Sequence, residues 1–204
     1  MDRDAFRTLL GEGPLLGDGG TGTSLDAAGV SAEACFDELN RSKPEVVAGV
    51  HRAFVEAGSH FVETNTWGAN RYKLDKHGLA PLVRELNIAG VRLARVTPDV
   101  LVAGSVGPLG VRLAPYGRVQ PEEATAAFAE QIAALAEGGV DFLSIETHSD
   151  VAEIECAIAA ARDVAPRLPS SPPSRSPRTI ARRSATRRRT WRAGWPNSTS
   201  TRSA

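Results

Sequence analysis

Four short polar clusters in the first 150 residues hold the side chains best placed to do chemistry. Asp18 sits in Gly17-Asp18-Gly19-Gly20-Thr21-Gly22-Thr23, directly after Pro14-Leu15-Leu16. Thr64 and Asn65 close the run His60-Phe61-Val62-Glu63-Thr64-Asn65. Ser105 closes Val100-Leu101-Val102-Ala103-Gly104-Ser105, and Glu146 closes Val140-Asp141-Phe142-Leu143-Ser144-Ile145-Glu146. Each cluster follows an apolar run of strand length, the pattern of a buried strand opening into a loop at its carboxyl end. Glycine, lacking Cβ, lets the backbone of the first cluster approach a ligand closely. If these strands belong to a barrel, their carboxyl ends are where an active site is built. The plainer alternative for Asp18 is a solvated aspartate in a tight turn. The glycines lack the spacing and downstream acid of a dinucleotide fingerprint.

Helical patterns separate the clusters. Residues 2–12 form a short amphipathic helix with Phe6, Leu9 and Leu10 on one side. Residues 15–18 are the first expected strand. Ser42-Lys43-Pro44-Glu45 opens the next helix, with Ser42 and Glu45 at capping-box spacing and Pro44 in the first turn. Gly58 ends that helix, and residues 60–65 are the second strand. A helix over 81–95, a strand over 100–105, a helix over 121–138, a strand over 140–146 and a helix capped by Ser149 or Asp150 complete the pattern. The order βαβαβαβα with largely apolar strands predicts a parallel sheet covered by helices. Four polar strand ends converging on one face fit a (β/α)₈ barrel better than an open sheet with a single switch point. The chain supplies about four of the eight units.

Composition divides the 204 residues in two. Residues 1–165 carry 14 Lys and Arg against 24 Asp and Glu, a net of −10, whereas residues 166–204 carry 10 Arg and no acid. Two cysteines, Cys35 and Cys156, make neither a disulfide framework nor a CxxC pair. No run is apolar enough to span a bilayer, and no leader precedes the first helix, so a cytoplasmic protein without membrane partners is expected.

Taken together, four stretches resemble the homocysteine S-methyltransferase family. They are Gly17-Asp18-Gly19-Gly20-Thr21-Gly22-Thr23, Glu63-Thr64-Asn65-Thr66-Trp67-Gly68-Ala69-Asn70, Ala103-Gly104-Ser105-Val106-Gly107-Pro108 and Asp141-Phe142-Leu143-Ser144-Ile145-Glu146-Thr147. The resemblance covers about residues 10–165. It implies an α/β fold, the N-terminal half of a (β/α)₈ TIM barrel. It implies homocysteine and a small-molecule methyl donor, such as methyltetrahydrofolate, as partners. It also implies zinc, held in the family by three cysteines near later strands that this chain does not contain. By resemblance, Asp18 and Glu146 hold the substrate ammonium, and Gly19, Gly20, Thr64 and Asn65 line the pocket. Carboxylates suit that task, since charge-assisted hydrogen bonds orient a cationic amine. The alternative for Glu146 is a strand-end acid paired to a neighbouring barrel residue. Cys35 and Cys156 do not match the family's zinc cysteines, and Cys156 reads as a small buried hydrophobe. His148 reads as a loop residue, His51 as a helix-surface residue and His60 as a strand start.

The pattern stops at about Pro166. Residues 166–204 are a low-complexity tail of Arg, Ser and Pro with too little apolar surface to offset chain entropy, and are expected to be disordered. Domain 1–165 is therefore a partial barrel expected to be inactive, with open strand edges that homo-oligomerisation is one way to cover. The alternative function is an arm for nucleic acid or an anionic surface, using Arg182-Arg183 and Arg187-Arg188-Arg189 near Trp191 and Trp195. No specific nucleic acid is expected. The tail also has the marks of a shifted reading frame. If its serines are TCN codons, a one-base shift makes each T a middle base, and NTC encodes Phe, Leu, Ile or Val. Ser170, Ser171, Ser174 and Ser176 then become a hydrophobic run fit for a fifth strand. Resequencing the gene across the Pro169 codon is expected to reveal the shift. An intact frame ending at Ala204, confirmed by intact protein mass, overturns it.

Overall fold

A computed structural model of the chain describes residues 1–31, 33–95 and 100–171. The expectations for the basic tail beyond them, disorder and nucleic-acid binding included, lie outside the described residues. The helices are α1 (Arg3–Glu12), α2 (Thr21–Ala27), α3 (Leu39–Ser42), α4 (Pro44–Glu56), α5 (Arg71–Asp75), α6 (Val83–Ala94), α7 (Pro121–Gly138) and α8 (Val151–Val164). Single 3₁₀ turns cover Phe36–Glu38 and Ala80–Leu82. The strands are β1 (Phe61–Glu63), β2 (Leu101–Val106), β3 (Phe142–Ile145) and β4 (Ser170–Ser171). They form one parallel sheet in the order β1-β2-β3-β4, so the architecture is α/β with a small parallel sheet.

Two expected elements come out differently. Residues 15–18 run alongside β1 without joining its ladder, because side chains take most of the pairing there. The His60 N–H donates to Leu16 O at 2.7 Å, but the Leu16 N–H donates to the His60 ring at Nδ1, 2.8 Å. The Glu63 N–H donates to the Asp18 carboxylate at 2.9 Å. Gly17 lies so close to Phe61 that a Cβ there would stand 2.5 Å from the ring. The fourth strand is instead β4, in register through Leu143↔Ser170 and Ser144↔Ser171, so ordered chain continues past residue 165. The Ser42–Glu45 capping box is also absent. Ser42 belongs to α3, where its hydroxyl donates to Glu38 at 2.6 Å, and Lys43 is the N-cap of α4. A capping box does form at Gln120 and Glu123, ahead of α7, which ends on Gly139 with φ 89°. Asp150 caps α8 by accepting the Ala152 N–H at 2.9 Å.

Alternation along the strands explains the two faces of the sheet. Val62, Val102, Val106, Leu143 and Ile145 point outward into the main core with Phe128, Ile132 and Leu135 of α7. Alanines 157, 160 and 161 bring α8 close to α7 in the same core. On the other face, Phe61, Leu101, Ala103 and Phe142 form a smaller apolar floor, which α1 closes with Phe6. The Phe6 and Phe142 rings lie 4.8 Å apart. One step further along the same face the residues turn polar: Glu63, Ser105, Ser144 and, beyond β3, Glu146.

His51 is fully buried in α4 rather than on the helix surface. The helix is packed on more than one side, against α2, α3 and α6, so its buried stripe widens to Val47, Ala48, Val50 and His51. Neither ring nitrogen has a partner among the described residues, and burial pulls the imidazole down to about 4. The unfolded chain therefore binds the extra proton between that value and the ordinary 6.5, and stability is lost as pH falls through the window. Against His51→Leu, the unsubstituted chain is expected to lose about 2 kcal/mol more between pH of about 7.5 and 4.5. Urea unfolding at the two pH values measures it, and an equal loss in both proteins overturns the assignment.

Candidate functional site

The site grows from the way β1 ends. After Glu63 the chain leaves the sheet, and polar side chains replace the missing strand. The Thr64 N–H still donates to Ala103 O at 2.9 Å. Its hydroxyl then accepts the Ser105 N–H at 3.0 Å, and Thr66 Oγ1 donates to Ser105 O at 2.9 Å. The two threonine hydroxyls lie 2.6 Å apart, and Gln131 of α7 donates to Thr66 O at 2.7 Å. Asn65 is tied just as firmly. Its Nδ2 donates to Phe36 O at 2.7 Å and to Asn40 Oδ1 at 3.0 Å, while Asn40 Nδ2 donates to Asn65 O at 2.7 Å. Thr64, Asn65 and Thr66 are all buried. Most of their polar atoms serve the scaffold, so they set the shape of the wall.

That wall encloses a cavity of about 370 Å³ at the carboxyl ends of β1 and β2. Of the residues expected from sequence, Gly19, Gly20, Thr64, Asn65 and Glu146 all line it, as does Ser105. Asp18 stands just behind the lining, anchored to the Glu63 N–H and close enough to Glu146 to feel its charge. Glu146 is held by the Ser105 hydroxyl at 2.6 Å on Oε1 and by the Thr147 hydroxyl at 3.3 Å on Oε2. Thr147 itself has φ 59°, a left-handed conformation costly for a β-branched residue, and it directs the chain away just after Glu146.

The lining residues that sequence reasoning missed include Glu63, Asp37 and Trp67. Glu63 was legible from alternation, since period two from Phe61 puts it on the inner face. Asp37 arrives on the 3₁₀ turn Phe36–Glu38 and Trp67 on the turn after β1, and neither carried such a signal. Asp37 accepts the Gly68 N–H at 2.9 Å, and Lys73 of α5 places its Nζ 3.1 Å from the centroid of Trp67.

The electrostatics divide the cavity. At one end are Asp18, Glu63 and Glu146. Burial pushes Asp18 up to about 7, against the hydrogen bond from Glu63 N–H. Burial, and then the charge of Glu146, push Glu63 up to about 8. At the other end burial raises Asp37 to about 6, opposed by the Gly68 N–H and by Lys73. Burial lowers Lys73 to about 8, opposed by Asp37. The first end is a concentration of acid without a basic neighbour among these causes, suited to a cation.

The residues present do not fit a zinc ion. Among the described residues no group of three His, Cys, Asp or Glu side chains is arranged to hold a metal. Cys35 precedes the first 3₁₀ turn, and Cys156 is buried in α8 with its thiol 3.5 Å from Pro121 O. Among the described residues no helix is long and apolar enough to cross a membrane.

A parallel α/β sheet with an acid-lined cavity at its strand ends defines a small-molecule site of the kind α/β enzymes use. The chain belongs to the homocysteine S-methyltransferase family, whose domain matches residues 15–190. It is 32% identical over 168 residues to methionine synthase of Mycobacterium tuberculosis, covering 76% of this chain and 14% of that protein. It is 32% identical over 175 residues to methionine synthase of Mycobacterium leprae, covering 79% and 14%. Among solved structures, the metallated form of the homocysteine methyltransferase MmuM from Escherichia coli is similar at 28% identity and a TM-score of 0.69. That match covers 80% of this chain and 64% of the other. The chain thus spans about one-seventh of the length of these methionine synthases and under two-thirds of MmuM.

Thr64→Val is expected to destabilise the fold by about 1–3 kcal/mol, because it leaves the buried Ser105 N–H without an acceptor. Denaturant unfolding checks this, and a change below about 0.5 kcal/mol shows that another group satisfies that N–H.

Proposed function

We propose that residues 1–165 are the amine-binding half of a homocysteine-binding (β/α)₈ barrel. In this reading Asp18 and Glu146 hold the ammonium group of homocysteine, and Gly19, Gly20, Thr64 and Asn65 form the wall around it. The observation that carries the reading is that Glu146 lines the cavity at the strand ends while Asp18, from a separate segment of the chain, stands just behind that lining and feels the Glu146 charge. Family membership and the sequential parallel strand order support the barrel. The reaction this domain would serve is methyl transfer to the homocysteine thiolate, giving methionine, from a small-molecule donor such as methyltetrahydrofolate. A site for that donor is not among the residues assigned.

This chain by itself is proposed to bind and not to turn over. Zinc would supply a thiolate nucleophile at neutral pH, and the described residues offer it no fitting ligand set. We take the basic residues 166–204 to be no part of this function, and the compartment to be the cytoplasm.

Titration calorimetry with L-homocysteine tests the amine site. Asp18→Asn and Glu146→Gln are each expected to weaken binding by about tenfold to a hundredfold, the worth of a hydrogen bond to a charged group. Unchanged affinity in both overturns the assignment. A zinc-supplemented assay with homocysteine and several methyl donors is expected to stay at blank, and clear turnover overturns the proposed inactivity.

A further inference from the structure

A lysine near the surface ordinarily carries its ammonium to water and leaves its stem on the protein. Lys73, half-buried in α5, does the reverse. Its Nζ is buried, and no acceptor among the described residues reaches it. Instead Nζ stands 3.1 Å from the centroid of the Trp67 ring. An indole is the best aromatic partner for a cation, and the attraction grows when the cation has lost its water. Two close approaches lead the stem there. A Cβ on Gly68 would stand 3.4 Å from Lys73 Cδ, and one on Gly110 would stand 3.1 Å from Lys73 Cε. The start of α5 is fixed as well: Asn70 accepts the Lys73 N–H at 3.1 Å and donates to Pro108 O at 3.3 Å.

Trp67 needs such a partner. It is 41% exposed, so the core does not hold it, yet it lines the cavity beside Gly68 and Asp37. Its carbonyl accepts the Gly107 N–H at 3.2 Å, which fixes the backbone and not the ring. Gly107 admits the indole against its backbone, since a Cβ there would overlap the ring. That glycine supplies room, and the Lys73 ammonium supplies the attraction. The other charged groups around Lys73 come from several elements. Asp37 on the first 3₁₀ turn, Glu153 on α8 and Lys76 on α5 act on it, and His148 after β3 feels its charge in turn. Three of these have backbone partners of their own: Asp37 accepts the Gly68 N–H, Glu153 accepts the Leu109 N–H at 2.7 Å, and Lys76 donates to Gly110 O at 3.3 Å.

We propose that Lys73 is a positioning residue, whose ammonium holds the Trp67 indole as a fixed wall at the Asp37 end of the cavity and so tightens the cavity on homocysteine. This rests on the amine-site reading above. Lys73 is not in the cavity lining and acts through Trp67. Burial lowers Lys73 to about 8, with Asp37 opposing. The ammonium is therefore present below that value and lost as pH rises through it, and the hold on the ring goes with it. Arginine keeps its charge throughout and stacks on aromatic faces, so it can replace the lysine. Methionine keeps an unbranched apolar stem and lacks the charge.

The full chain carrying Trp191→Phe and Trp195→Phe keeps Trp67 as its one tryptophan. Without ligand, its emission wavelength is expected to shift with a midpoint at a pH of about 8, following Lys73. Lys73→Met and Lys73→Arg are each expected to abolish that step. In calorimetry with L-homocysteine at a pH of about 7, Lys73→Met is expected to weaken binding by about fivefold to thirtyfold, and Lys73→Arg to stay within about twofold of the lysine. In a Trp67→Ala chain, Lys73→Met is expected to change the Kd by less than about twofold. An unchanged Kd in Lys73→Met, or an equal loss with and without the indole, overturns the positioning role and leaves the amine site standing. An emission that ignores pH does the same. No homocysteine binding to the chain with Lys73 intact overturns the amine site, and this proposal with it. If Lys73→Met does not fold, Lys73→Arg decides the question: an emission step that persists in it refutes the pairing of Lys73 with Trp67.

Discussion

Buried backbone amides must find acceptors, and at the carboxyl end of β1 they find them in side chains. The sheet runs out at Glu63, yet β2 continues to Val106 with its Ser105 N–H and C=O still facing the vacated side. Thr64 and Thr66 fill that vacancy with hydroxyls, and Asp18 does the same for the Glu63 N–H from the opposite direction. The polar residues at the strand ends are thus required by the ladder before any ligand is considered. The cavity exists because a side chain is shorter and more compact than the strand it replaces. Shape and chemistry arise from one act of substitution.

The same economy creates the charge problem at the site. A carboxylate is a good acceptor for a stranded N–H, but it brings a charge into a place with little water. Asp18 meets that cost with one backbone hydrogen bond, and Glu146 with two hydroxyls. No cation is among the groups that shift Asp18, and the base that feels the Glu146 charge, His148, is itself pushed toward its neutral form by burial. Asp37, at the opposite end, does have Lys73, whose charge opposes the upward push of burial there. The two ends of one cavity therefore differ in kind: one is internally compensated, the other is not. An unbalanced cluster that the fold holds rigidly favours a cationic partner, because the partner's charge does what protons otherwise do.

Much of this was legible in the residues. The strand ends could be read because an apolar run that stops on a polar residue has few other meanings, and Gly19, Gly20, Thr64, Asn65 and Glu146 all reach the cavity. What failed did so for local reasons. Residues 15–18 look like a strand by hydropathy, but hydropathy does not reveal that His60 and Asp18 side chains will take the place of ladder carbonyls. Ser42 has capping-box spacing to Glu45, yet it had already been claimed by Glu38 in the preceding turn. His51 looked superficial because a single helix face predicts one buried stripe, and α4 is packed on two sides. Asp37 reaches the cavity on a single 3₁₀ turn and Trp67 on the turn after β1, short segments whose course no periodicity encodes.

β4 shows the limit of backbone pairing as a guide. Strand pairing uses only N–H and C=O groups, so it is nearly blind to side chains, and the Leu143 N–H donates to Pro169 O at 2.8 Å whatever residue types come after that proline. Burial is not blind. A parallel strand covered on both faces reads as a continuous apolar run, as Leu101–Val106 and Phe142–Ile145 largely do. Ser170–Ser171 pairs in the next place of that sheet, and Ser170 there is exposed. Family similarity runs on to residue 190, so the chain keeps its match to the family after its composition has changed. Position in the fold and fitness for that position have come apart at Pro169.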